Sequence, residues 1–189
     1  MNKVLGVVFC CLFLASCGFE PLYAHREEKS SWYFGGKFDN SVTTEMEQIK
    51  VEPIADRFGQ QVRNELLDLM TPRGMPAKPK YRLFVQLKSK NVIQQALRRD
   101  ITATRERVEY KVTYRLESSS YEKGINTLVS GNSVAFVSYD LLENPFSTTM
   151  AQKKTEADAA KIIANDIVLR MGAYFHKELT NQKQQGGLL

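Results

Sequence analysis

The clearest periodic signal in the chain is an alternation. Val108, Tyr110, Val112, Tyr114 and Leu116 occupy every second position, and Arg105, Arg107, Glu109, Lys111, Thr113, Arg115 and Glu117 fill the places between and beside them. Successive strand side chains point to opposite faces, so the segment predicts a strand with one buried face and one wet, mostly basic face. Tyr81, Leu83, Val85 and Leu87 alternate in the same way and predict the strand before it, with Asn91 to Ile101 as the hairpin turn. After a second turn from Ser118 to Asn126, Thr127 to Tyr139 predicts a fourth strand of weaker period, in which Gly131 points to a bulge. A short first strand carries Ile49 and Val51 and ends at Pro53.

Two segments carry the helical period instead. Phe58, Val62, Leu66 and Leu69 or Met70 recur at spacings of three and four, with Gln60, Gln61, Arg63, Asn64 and Asp68 on the other side. Asp56 is placed to cap this helix, and Thr71-Pro72-Arg73-Gly74 stops it. The second helix is predicted from about Ser147, after the break at Asn144-Pro145, to Leu179, with Ala160, Ala164, Ile167, Val168, Met171, Phe175 and Leu179 as its stripe. The resulting order, β-α-β-β-β-α, predicts an α+β fold: a four-stranded mixed sheet with two helices packed on one face. Its first two strands are parallel and the last three form an antiparallel meander. The domain is expected over residues 46–180, followed by a disordered tail over 181–189 rich in Gln and Gly.

The N-terminus reads differently. Lys3 precedes an apolar run from Val4 to Leu14, too short to span a bilayer and of the length of a signal core. Leu14-Ala15-Ser16-Cys17 then resembles the lipobox of bacterial lipoproteins, which implies removal of residues 1–16 and lipidation of Cys17. Of the three cysteines, this discards Cys10 and Cys11 and leaves one lipid anchor and no disulfide. Gly18, where Asp favours inner-membrane retention, leans towards the outer membrane. Residues 17–45 are expected to be a tether. Its aromatic triplet Trp32, Tyr33 and Phe34 either meets a membrane or partner surface or folds back on the domain.

Cys17-Gly18-Phe19-Glu20-Pro21-Leu22-Tyr23 resembles the mature start of the lipopolysaccharide-assembly lipoprotein LptE family. Asp56-Arg57-Phe58-Gly59-Gln60 with Asn64-Glu65-Leu66 resembles that family's first helix. Asn144-Pro145-Phe146 and Asp166-Ile167-Val168-Leu169-Arg170 resemble its last. The resemblance implies two helices on a four-stranded sheet. It also implies a non-catalytic lipoprotein of the outer membrane that sits inside an LptD-type β-barrel and contacts lipopolysaccharide.

Composition narrows the remaining choices. With 43% hydrophobic and 25% charged residues in 189, neither wholesale disorder nor a polytopic membrane protein fits. A net charge of +5 is too small to mark a nucleic-acid binder without a clustered patch. No cofactor motif occurs, and His25 and His176 lack ligand-spaced partners. Gly131-Asn132-Ser133-Val134-Ala135 half-matches a nucleophile elbow but lacks the second glycine and lies in a strand. The candidate binding residues are therefore the basic ones: Arg98 and Arg99 at the hairpin turn, then Arg105, Arg107, Lys111 and Arg115 along one strand face. Taken as residues alone, such a row is the ordinary solvated face of a strand. The resemblance implies lipopolysaccharide, whose lipid A phosphates suit bidentate arginine forks. A lipid carrier without a barrel and a hydrolase using Ser133 are the alternatives.

Overall fold

A computed structural model describes residues 32–33, 36–37, 40–97, 103–119 and 126–186. Its elements are β1 (Trp32–Tyr33), β2 (Gly36–Lys37), α1 (Asn40–Met46), β3 (Ile49–Val51), α2 (Asp56–Met70), β4 (Tyr81–Leu97), β5 (Ala103–Ser118), β6 (Thr127–Asp140) and α3 (Pro145–Gly186). β3 to β6 form one sheet in sequence order. β3 pairs with β4 in parallel, and β4–β5 and β5–β6 are antiparallel. The α+β architecture therefore has the expected order and strand directions.

The sheet is built around β5. Its even positions point inward, and Val108, Tyr110, Val112, Tyr114 and Leu116 are all buried. Leu66 and Met70 from α2, and Ile163, Ile167 and Met171 from α3, close over them with no exposed surface. Alanines at 159, 160 and 164 let α3 approach closely. Phe58 stacks on Tyr110 with ring centroids 4.2 Å apart. Glu156 on α3 is buried and accepts a hydrogen bond from Arg57 Nη2 at 2.6 Å, which ties the two helices together. A buried carboxylate left without that partner would carry a large desolvation cost.

Several boundaries differ from the sequence reading, each for a local reason. The hairpin turn is far shorter than residues 91–101: β4 runs to Leu97, and Leu97 pairs with Ala103. Alternation fades there because Val92 and Ile93 are both exposed, so neither face imposes a hydrophobic period. Gly131 is not a bulge. The register shifts lie between Leu87 and Ser89 and between Leu116 and Glu117. Gly131 faces Tyr114, whose hydroxyl would lie 2.5 Å from an added Cβ. Asp56 does not cap α2: Ala55 holds the N-cap position with no side-chain bond, and Asp56 begins the helix at φ +67°. The α3 cap was missed. Asn144 Oδ1 accepts from the Phe146 N–H at 2.9 Å, so Pro145 starts the helix as a first-turn proline. α3 continues through 42 residues to Gly186, past the tail boundary assigned at 181.

The tether also needs correction. Gly36 pairs with Tyr33 in the small β1–β2 ladder, inside the segment expected to be tether. Residues 40–45 are not linker, because α1 docks on the domain. Val42 is 1% and Met46 0% exposed, and Glu45 accepts from Lys80 Nζ at 2.9 Å and from the Tyr81 hydroxyl at 3.0 Å. Cys17 and Phe34 lie outside the described residues.

Met46→Ala is expected to lower unfolding stability by about 2–5 kcal/mol, the range for emptying a fully buried methionine site. Urea denaturation of the full chain checks it. A loss below about 0.5 kcal/mol would return α1 to the tether.

Candidate functional site

The odd positions of β5 form the centre of the uncovered sheet face. Strand register brings Arg82, Phe84, Ser89, Asn91 and Ile93 of β4 to one side of them. Ser130, Asn132, Val134, Phe136, Ser138 and Asp140 of β6 come to the other. Of the sequence candidates, Arg105, Arg107, Lys111 and Arg115 do share this face. Arg98 and Arg99 lie outside the described residues.

The row is less positive than its sequence. Arg105 Nε donates to Asp140 Oδ1 at 2.8 Å and its Nη2 to Oδ2 at 3.5 Å. Lys111 Nζ lies 3.3 Å from Glu109 Oε1, and Arg115 Nε lies 2.7 Å from Glu117 Oε1. Asn91 also donates to Glu109, at 3.1 Å. Arg82 extends the pattern by bonding Glu52 at 2.7 Å. Arg107 instead lies 4.5 Å above the Phe136 ring. Arg82 and Arg115 lie 5.1 and 4.6 Å from the Phe84 ring. Exposed pairs of this kind contribute little to stability. Arg82 and Arg115 are each held between a carboxylate and the Phe84 ring, Arg107 by the Phe136 ring, and Arg105 by Asp140.

A shallow trough of about 710 Å³ crosses the same face, lined among others by Phe84, Gln86, Lys88, Thr113, Arg115 and Asn132. Amides, a hydroxyl, a ring and two cations suit an extended polar or anionic chain. Ser133 is elsewhere: it lies under the helices at 1% exposure, and its hydroxyl has no partner. That position is in mid-strand, without the turn or the base that an activated serine requires. Burial is the largest cause pushing Tyr81, Tyr110 and Tyr139 up to about 12, and Glu106 adds to it at Tyr139. These phenols stay protonated at neutral pH, and two of them act as donors: Tyr139 bonds Glu106, and Tyr81 bonds Glu45. His176 is exposed on α3, and His25 lies outside the described residues. Among the described residues no group of three metal-ligating side chains occurs, and no helix is long and apolar enough to cross a membrane.

Sequence reasoning missed Arg82, Glu52, Asp140, Phe84 and Phe136 as neighbours of the row. Each joins it only through strand register, which no local spacing reveals.

The fold and face invite comparison with known proteins. A family model described as LptE, lipopolysaccharide-assembly, matches residues 46–171. Among solved structures, a lipoprotein from Caulobacter crescentus superimposes with a TM-score of 0.58 at 20% identity, over 70% of this chain and 94% of that one. That likeness is one of fold. A minor lipoprotein from Acinetobacter baumannii gives a TM-score of 0.49 at 14% identity, over 66% and 90% of the two chains. Rare lipoprotein B from Shewanella oneidensis gives 0.45 at 13% identity, over 70% and 98%. No curated protein matches the chain in sequence.

The Arg105 hydrogen bond, and then its charge, holds the Asp140 carboxyl below the ordinary aspartate range. A depressed carboxylate adds its stability above the unfolded pKa and loses it as pH falls through the folded value, so this pair weakens only in acid. Arg105→Ala is expected to raise the Asp140 midpoint towards that of a free aspartate. An NMR pH titration checks this, and an unmoved midpoint would mean that the pair does not form in solution.

Proposed function

The chain belongs to the LptE lipopolysaccharide-assembly family, and from that membership we propose that it is a non-catalytic lipoprotein that plugs and steadies an LptD-type outer-membrane β-barrel and assists lipopolysaccharide insertion. The observation that carries the reading is the extent of the family match: residues 46–171 include the whole sheet, α2 and most of α3. In this reading residues 1–16 are removed and Cys17 carries the lipid that holds the protein on the periplasmic side of the outer membrane.

The uncovered sheet face supports the reading on physical grounds. The lumen of a large barrel is polar, and the paired charges, amides and hydroxyls of this face can press against such a wall around the exposed Ile93, Val134 and Phe136. The same face supports lipopolysaccharide contact. Arg107 has an aromatic ring as its partner, and Arg105 and Arg115 can trade a carboxylate for a phosphate of the same charge sign at little cost. Arg98 and Arg99, outside the described residues, follow Leu97 in the sequence, and Leu97 pairs with Ala103, two residues before Arg105.

Purification of the tagged full chain from detergent-solubilised membranes is expected to recover a large β-barrel in about equal amount. Recovery of the lipoprotein alone, with bound lipid, would favour a carrier acting without a barrel. Replacing Arg98, Arg99 and Arg105 together by Ala is expected to weaken lipopolysaccharide binding about tenfold or more, the scale of one or two charged hydrogen bonds. Barrel recovery should stay intact. Unchanged binding would leave the row as a solvated face.

A further inference from the structure

The two edges of the sheet are not alike. At one edge, β3 covers the first residues of β4, and beyond it the edge carries Lys88, Lys90 and a bulge between Leu87 and Ser89. Lys90 even turns to the covered face and lies 5.4 Å from the Tyr110 ring. Lysines, inward-facing charges and bulges are the devices that keep an edge strand from pairing with other chains.

β6 forms the opposite edge and carries no lysine and no inward-facing charge; its one irregularity, opposite Leu116 and Glu117, lies at the start of the strand, before residues 132–138. Thr127 to Tyr139 is thirteen residues without a charge or a proline. Among the described residues nothing pairs with its outer side. The direction of its free backbone groups follows from the ladder. The Leu141 N–H donates to the Thr104 carbonyl at 2.9 Å. Antiparallel partners alternate between bonded and non-bonded pairs. Tyr139, Val137, Ala135 and Ser133 therefore bond β5, and the N–H and C=O groups of Asn132, Val134, Phe136 and Ser138 point outward. The same four side chains lie on the uncovered face, where Val134 is 39% and Phe136 52% exposed.

We propose that the outer edge of β6 is a strand-addition site, at which an extended segment of a partner polypeptide lies along residues 132–138 with apolar side chains against Val134 and Phe136. Main-chain bonds supply the register and the two exposed side chains the selectivity. A strand in the wall of a closed barrel has both its edges paired, so the donor is a loop or terminal segment of the barrel chain. The inference rests on the proposed barrel partnership for the donor's identity; the edge is a property of this fold.

Hydrogen exchange, resolved by residue and compared between the full chain alone and its co-purified barrel complex, tests it. The expected result is alternation. Amides of Asn132, Val134, Phe136 and Ser138 slow about tenfold or more in the complex, while those of Ser133, Ala135, Val137 and Tyr139, already bonded to β5, change little. Phe136→Lys installs a guard of the β4 kind, and Val134→Pro removes an outward N–H while sparing the β5 ladder. Each should cut barrel recovery several-fold with an unchanged melting temperature of the isolated chain. Should the proline variant misfold, the lysine variant and the exchange pattern decide. A stable complex with no slowing at the four outward amides overturns the inference and leaves the barrel reading standing. Failure to recover any barrel overturns both. Slowing that appears in the isolated chain and grows with its concentration names a second copy as the occupant and overturns the assignment.

Discussion

Everything in this fold depends on the one-sided burial of β5. Five of its even side chains, Val108 to Leu116, are sealed under α2 and α3, while its odd ones lie on the uncovered face, most of them reached by water and Glu117 buried beside Arg115. A register slip of one residue would drive arginines and glutamates into the helices and expose five large hydrophobic side chains. This penalty aligns β4 and β6, which in turn determines which residues meet on the uncovered face. The ion pairs and ring contacts there are consequences of core packing, since exposed pairs are individually too weak to set the register.

That hierarchy explains what could be read from the chain without a structure. The β5 alternation and the stripes of both helices were legible, because burial on one side imposes a period. Features not enforced by burial on a long element were harder to see. The outer half of β4 has no buried face, so it passed for a turn. α1 has only Val42 and Met46, four residues apart, to announce it, and seven residues are too few for a period. On the uncovered face the cations were visible and their neutralisation was not: Asp140 is 35 residues from Arg105, and Glu52 is 30 from Arg82.

The charge on this face is better described as mosaic than as basic. Three of the four described candidates are matched by a carboxylate, and the fourth lies on a phenylalanine. Such a surface has a weak field at distance, so it does little to steer ligands from afar. It becomes informative at contact, where arginine forks, rings and amides are each held in a fixed place.

The position of α1 sets a length scale. Glu45 fastens it beside Tyr81, where β4 begins, and the other end of that strand meets β5 at the Leu97–Ala103 pair. Seventeen strand residues separate the two ends, roughly 55 Å at the usual rise. α1 therefore joins the sheet at one pole, and the Leu97–Ala103 pair lies at the other. The sheet acts as a ruler: it keeps the Leu97–Ala103 end of the β4–β5 ladder a fixed distance from α1, and that distance exceeds the thickness of a bilayer.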